Sequence, residues 1–142
     1  MPSTSQSIVV PAPIAEVWTR LSNFHDFSWA PNVITHVEQV GDVAGNEAGA
    51  KRILNQVFHE TLIEIDGDRH LLRYSIDDGP SPVAPQDVSN YIGSIRLNPD
   101  PDSGGTLVEW NSAWDSNSDD AVEFCHGIYV ALLQSLAKSF QQ

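Results

Sequence analysis

Glu60 is the ionisable side chain with the best placement for chemistry. It falls in a strand-like run, Val57–Asp66, that is apolar on both faces, so the alternation of residue types does not orient it. Directed inward, its carboxyl would be partly desolvated, with a raised pKa suited to a general acid or base, or to anchoring the polar end of a ligand. Directed outward, it would be an ordinary solvated side chain. Tyr74 and Tyr91 are the other candidates for moving a proton.

The remaining reactive residue types form no recognisable catalytic or metal motif. The five histidines are scattered, at His25, His36, His59, His70 and His126. None has the spacing of a metal pair on a strand or helix, and the glycine-rich loops that cradle phosphates are missing. We therefore expect no metal and no cofactor. Cys125, the only cysteine, lies among apolar helix positions and is predicted to be a small core residue.

Charge and length exclude several classes of protein. The 142 residues fit one domain, and their net charge of −12 includes only two lysines. Such a surface repels phosphate backbones, so nucleic acid is not an expected partner. No apolar run approaches the roughly 20 residues that a membrane-inserted helix needs. Residues 1–6 lack the features of a signal peptide, which predicts a cytoplasmic protein. We expect a monomer or a homodimer.

Strand patterns dominate the first four-fifths of the chain. Ser7–Val10 reads as a short first strand. Six further runs follow between turn signals: Val33–Val40, Ala50–Gln56, Val57–Asp66, Arg69–Asp77, Ser89–Asn98 and Thr106–Asp115. The connections are too short for crossover helices, so the runs predict one antiparallel sheet with one buried face.

Helical patterns flank these strands. Pro13 suits the first turn of a helix whose apolar stripe is Ile14, Val17, Trp18 and Leu21. Phe24–Trp29 reads as a second short helix or turn that ends before Pro31. Near the end of the chain, apolar residues recur every four positions: Phe124, Ile128, Leu132, Leu136 and Phe140. With Ser118 as its cap, this pattern predicts a helix over residues 118–140, about 30 Å long, that packs on the sheet.

Several local motifs occur in the order found in a known group of proteins. They are Val10-Pro11-Ala12-Pro13 with Val17-Trp18, Leu21-Ser22-Asn23-Phe24, Trp29-x-Pro31, and Gly105-Thr106-x-Val108-x-Trp110. On these motifs the chain resembles the bacterial polyketide cyclase/dehydrase-like proteins of the SRPBCC superfamily, also called Bet v 1-like or START-like. The resemblance implies an α+β helix-grip fold over residues 1–142. In that fold a curved seven-stranded antiparallel sheet wraps around a long C-terminal helix, with two short helices after strand 1.

The resemblance also implies a ligand cavity between sheet and helix. Glu60-Thr61-Leu62 is similar to a pocket strand of the plant abscisic-acid receptors, more distant relatives, and this likeness turns Phe58, Glu60 and Leu62 inward. The predicted ligand-binding residues are Trp29, Phe58, Glu60, Leu62, Tyr74, Ile76, Tyr91, Ile95, Trp110, Trp114, Phe124, Ile128 and Leu132. The mouth is expected near Trp29 and a proline-rich lid, Pro80–Pro85. Alternatively, the same aromatic residues fill a solid core.

Three functions stay open at this point. The first is binding or transport of a small, mostly hydrophobic molecule in the cavity. The second is an aromatase/cyclase-like enzyme acting on a polyketide-type or other small apolar substrate, with Glu60, Tyr74 or Tyr91 moving a proton. The third is a stress-related or partner-modulating protein whose cavity is vestigial. The sequence leaves the presence of catalysis undecided.

Overall fold

A computed structural model describes residues 2–141. It contains seven strands and two helices in an α+β arrangement. In chain order the elements are β1 (Ser3–Val10), α1 (Ile14–Leu21), β2 (Val37–Val40), β3 (Lys51–Leu54), β4 (Phe58–Asp66), β5 (Leu71–Asp78), β6 (Ser89–Pro99), β7 (Thr106–Asp115) and α2 (Asp120–Ser139).

The seven strands form one sheet in the order β1-β7-β6-β5-β4-β3-β2, and every neighbouring pair is antiparallel. Register shifts interrupt the β4–β5 ladder between His59 and Glu60 and between Leu62 and Glu64, and the β6–β7 ladder between Ser89 and Ile92. Such bulges bend a strand and increase its twist, which curves the sheet. The predicted helix-grip fold is confirmed.

Helix α2 lies against the sheet through one apolar face. The helix begins at Asp120 and its N-cap is Asp119, so the prediction of Ser118 as the cap is one residue too early. The Ser118 hydroxyl still accepts the Asp120 N–H at 3.0 Å, and Asp120 and Glu123 in the first turn suit the positive end of the helix dipole. The buried residues of α2 are Ala121, Cys125, Tyr129, Leu132, Leu133, Leu136 and Ala137. Neither helix within residues 2–141 combines the length and the apolarity needed to cross a bilayer.

The prediction of two short helices after β1 is wrong in one respect. Between β1 and β2 the structure has a single helix, α1, and Phe24–Trp29 forms turns. Two side chains explain this difference: Asn23 Oδ1 accepts the His25 N–H at 3.1 Å, and Asp26 Oδ1 accepts the Ser28 N–H at 2.9 Å. These bonds replace helical ones and hold the backbone in tight turns.

Candidate functional site

A tight turn between β3 and β4 sets the geometry of the site. Asn55 and Gln56 have φ of 51° and 66°, so β3 ends at Leu54 rather than at the predicted Gln56. The resulting register places Arg52 directly opposite Glu60. Side chains of directly opposed residues share a face of the sheet and contact each other. The turn therefore pairs a guanidinium with the carboxylate on the concave face.

Arg52 and Glu60 form a buried ion pair, and both side chains are 6% exposed. Arg52 Nε and Nη2 donate to Glu60 Oε1 at 2.8 and 2.6 Å, and Arg52 Nη1 donates to the Phe24 carbonyl at 2.9 Å. The guanidinium carbon lies over the Phe24 ring at 3.6 Å and over the Phe27 ring at 4.6 Å. We call these four residues the ion-pair cluster. Burial raises the pKa of the Glu60 carboxyl, and the charge and hydrogen bonds of Arg52 partly offset that rise.

Three buried tyrosines form a second polar group, the tyrosine network of Tyr74, Tyr91 and Tyr129. The Tyr129 hydroxyl bonds to Tyr74 at 2.8 Å and also to Tyr91, while the Trp110 indole N–H donates to Tyr74 at 3.0 Å. Tyr91 donates to Ser112 at 3.1 Å, so Tyr129 donates to Tyr91 and Tyr74 donates to Tyr129. All three hydroxyl hydrogens are thus used in hydrogen bonds within the protein. Burial raises the pKa of each of these phenols.

Gly93 on β6 makes room for Tyr74 in this network. A Cβ added at Gly93 would lie 2.6 Å from the Tyr74 hydroxyl oxygen and closer still to the ring. Any larger residue would therefore push the Tyr74 ring out of its position between the sheet and Tyr129. Gly93 thus positions a phenol.

A small cavity lies between these two polar groups and α2. The space open to the centre of a water molecule is about 40 Å³, enough for a few waters and far below the ~300–1,000 Å³ typical of ligand pockets. Its lining is almost wholly apolar. Four lining residues are only half-buried and form an apolar rim where β4 begins, β5 ends and α2 begins: Phe58, Ile76, Phe124 and Ile128.

Eight of the thirteen residues predicted to bind a ligand line this cavity: Phe58, Glu60, Tyr74, Ile76, Trp110, Phe124, Ile128 and Leu132. The other five are buried elsewhere in the core: Trp29, Leu62, Tyr91, Ile95 and Trp114. Trp29 donates its indole N–H to the Asp26 carbonyl at 3.1 Å and packs on Phe27, which takes the place at the cavity. Trp114 stacks on Tyr91 with ring centroids 5.0 Å apart. Their roles in binding stay predictions.

Seven lining residues lie outside that prediction: Phe27, Ile34, Arg52, Leu54, Val83, Cys125 and Tyr129. Val83 belongs to the proline-rich segment expected to form a lid, and it is buried. Cys125 is buried as expected for a core residue, and burial raises the pKa of its thiol. Arg52 was missed because the third strand was predicted to continue to Gln56, whereas the turn at Asn55 and Gln56 places Arg52 opposite Glu60. Within residues 2–141, no three His, Cys, Asp or Glu side chains converge as metal ligands.

Comparisons with known proteins agree on one family over nearly the whole chain. A family model described as polyketide cyclase / dehydrase and lipid transport matches residues 1–141. That description indicates hydrophobic ligands as a class. A search among curated proteins gives no match.

Solved structures from three bacteria share the fold. A protein from Nitrosospira multiformis is 43% identical, with a TM-score of 0.96 over 99% of this chain and 97% of that one. The protein XoxI from Bacillus cereus is 25% identical, with a TM-score of 0.81 over 99% and 96% of the two chains. A protein from Thermobifida fusca is 26% identical, with a TM-score of 0.83 over 99% and 93%.

Proposed function

Because the chain belongs to the polyketide cyclase/dehydrase and lipid transport family, we propose that it binds or carries a small, mostly hydrophobic molecule between the sheet and α2. The observation that supports this most is the apolar cavity whose half-buried rim reaches the surface. When a ligand covers apolar side chains that are half-exposed around an opening, their removal from water lowers the free energy of the complex. We expect this binding in the cytoplasm, where the lone Cys125 thiol would stay reduced.

Ligand entry requires the cavity to widen, because a volume of about 40 Å³ holds only a few water molecules. The rim side chains Phe58 and Phe124, whose ring centroids are 6.3 Å apart, stand where a ligand would enter. Phe58 lies close to the segment that holds Val83, since a Cβ added at Gly79 would lie 3.5 Å from the Phe58 ring and 3.0 Å from Val83. Rotation of these half-buried rings together with displacement of residues 79–88 would open the interior without disturbing the sheet.

The small volume also favours a second candidate, a partner-modulating protein with a vestigial cavity. The two candidates differ in whether the interior ever opens. The cyclase alternative depends on Glu60 alone as the proton-moving group, because the hydroxyl hydrogens of Tyr74 and Tyr91 are already used in the tyrosine network. A carboxyl with a raised pKa would suit that role.

Native mass spectrometry of the purified protein tests the binding function. We expect a fraction of the protein to carry a non-covalent small molecule that is lost on denaturation. Ile128→Trp should block the rim and remove the adduct, because indole fills the opening. Gln134→Trp, on an exposed position of the same helix, is the matched control and should keep it.

The same spectra distinguish a monomer from a homodimer. If the wild type carries no adduct, and none of the small apolar probes described below binds at millimolar concentration, the binding function is wrong and the vestigial-cavity alternative replaces it.

A further inference from the structure

Arg52 carries the one cationic side chain that lines the cavity within residues 2–141. Two of its nitrogens donate to Glu60 Oε1, at 2.8 and 2.6 Å, and the third donates to the Phe24 carbonyl at 2.9 Å. The aromatic faces of Phe24 and Phe27 cover the guanidinium carbon. The positive charge is therefore neutralised and held in place before any ligand arrives.

Glu60 keeps one oxygen available. Both bonds from Arg52 go to Oε1, and Oε2 makes no hydrogen bond to any residue from 2 to 141. Oε2 is not sealed in the protein either, since the one fully enclosed side-chain nitrogen or oxygen that lacks a partner in this range is Trp114 Nε1. Glu60 lines the cavity, and its unbonded Oε2 is a hydrogen-bond acceptor.

The surroundings of Glu60 disfavour anions further. Asp77, at the end of β5, is close enough that its charge also raises the pKa of Glu60. A ligand carboxylate in the cavity would meet the Glu60 carboxylate and a guanidinium that is already paired. A ligand ammonium group would lie near the Arg52 guanidinium, and the one carboxylate of the cavity lining, Glu60, is already paired with Arg52. Neither charge could be compensated in an apolar space, where unpaired ions are unfavourable.

We propose that the cavity selects neutral ligands whose polar end is a hydrogen-bond donor, such as an alcohol or a phenol, and rejects carboxylic acids in their ionised form. This inference rests on the proposed binding function. A hydroxyl group donates to Glu60 Oε2 and leaves the ion-pair cluster intact. A ligand carboxylate can form an ion pair with Arg52 only by displacing Glu60. The Glu60 carboxylate would then be buried and unpaired.

Three probes of one shape test the selectivity: 3-phenylpropan-1-ol, its methyl ether, and 3-phenylpropanoate at pH 8. Binding is followed by nuclear magnetic resonance through the indole N–H of Trp110, which lines the cavity and donates to Tyr74. For the wild type we expect the alcohol to bind at least tenfold more tightly than the carboxylate, with the ether in between. Equal or tighter binding of the carboxylate would overturn the inference.

Glu60→Gln tests the cause of that selectivity. The amide oxygen can still accept from Arg52, but the negative charge is gone, so Arg52 becomes available to an anion. The preference of the alcohol over the carboxylate should shrink at least tenfold or reverse. Glu64→Gln, an exposed position on the same strand, is the matched control and should leave the preference unchanged.

The outcomes separate the inference from the function on which it rests. If the carboxylate binds the wild type as well as the alcohol does, or if Glu60→Gln leaves the preference unchanged, binding stands and the selectivity is wrong. If none of the three probes shifts the Trp110 resonance at millimolar concentration, the binding function fails and the inference fails with it. If Glu60→Gln does not fold, the comparison of alcohol and carboxylate binding to the wild type still tests the selectivity.

Discussion

The ion-pair cluster and the tyrosine network both contribute side chains to the same cavity. They compensate their buried polar groups in different ways. In the ion-pair cluster, opposite charges meet on a pair of directly opposed residues, Arg52 and Glu60. In the tyrosine network, neutral hydroxyls satisfy one another from Trp110 through to Ser112. Both arrangements compensate polar groups that would be costly if left unpaired in an apolar interior.

The difference lies in what each group leaves for a ligand. The tyrosine network uses all its hydroxyl hydrogens internally, so it can stabilise the core without offering a donor to the cavity. The ion-pair cluster leaves Glu60 Oε2 without a hydrogen bond from residues 2–141. We infer that the tyrosine network is structural and that recognition belongs to the ion-pair cluster.

Arg52→Met should give the largest effect, a loss of about 3–5 kcal/mol in the free energy of unfolding. The substitution leaves the Glu60 carboxylate buried without its counter-ion. Urea denaturation at pH 8 measures the change. Arg73→Met is the control, because Arg73 pairs with Glu64 at 3.3 Å with the two side chains 47% and 42% exposed. That exposed pair should contribute less than about 1 kcal/mol. Equal losses of unfolding free energy in the two variants would show that the buried pair of Arg52 and Glu60 contributes no more to stability than the exposed pair.

Tyr129→Phe should cost about 1–3 kcal/mol, because it leaves the Tyr74 and Tyr91 hydroxyls without their shared partner. Combined with Tyr74→Phe, the loss should be smaller than the sum of the single losses, since both hydroxyls belong to one network. Urea denaturation of the two single variants and the double variant measures the coupling.

The same Tyr129→Phe variant tests the division of roles between the two groups. It should keep the preference for 3-phenylpropan-1-ol over 3-phenylpropanoate. A lost preference would assign recognition to the tyrosine network and reverse the comparison.

The smallest expected effect is a pH dependence that belongs to Glu60. Burial raises its pKa in the folded protein above the usual 4.5, so the folded state holds this proton more tightly than the unfolded chain. As the pH rises through that range, the wild type should lose stability relative to Glu60→Gln, and the difference should level off above the folded pKa. Unfolding free energies of both proteins at several pH values give the slope. If the wild type instead gained stability relative to Glu60→Gln as the pH rose, the stabilisation of the carboxylate by Arg52 would outweigh the effect of burial.

The fold was predictable because its signals are local. The alternation in Thr106–Asp115 reports which face of β7 is buried, and the four-residue repeat from Phe124 to Phe140 reports a helix. The repeat does not report the rotation of that helix, because Phe124, Ile128 and Phe140 are only half-buried.

Of the two readings given to Phe24–Trp29, a short helix or a turn, the helix is wrong and the turn is observed. The side chains of Asn23 and Asp26 instead bond to the backbone two residues on and hold turns.

The sequence by itself determined the fold family, the curved sheet with its C-terminal helix, and Glu60 as a candidate anchor whose direction it left open. Only the tertiary structure decided what surrounds that carboxyl. Arg52 reaches it because a turn at Asn55 and Gln56 fixes the strand register, and Tyr129 reaches Tyr74 because the rotation of α2 turns its side chain inward. Register and helix rotation depend on packing between distant segments, so no local pattern reports them.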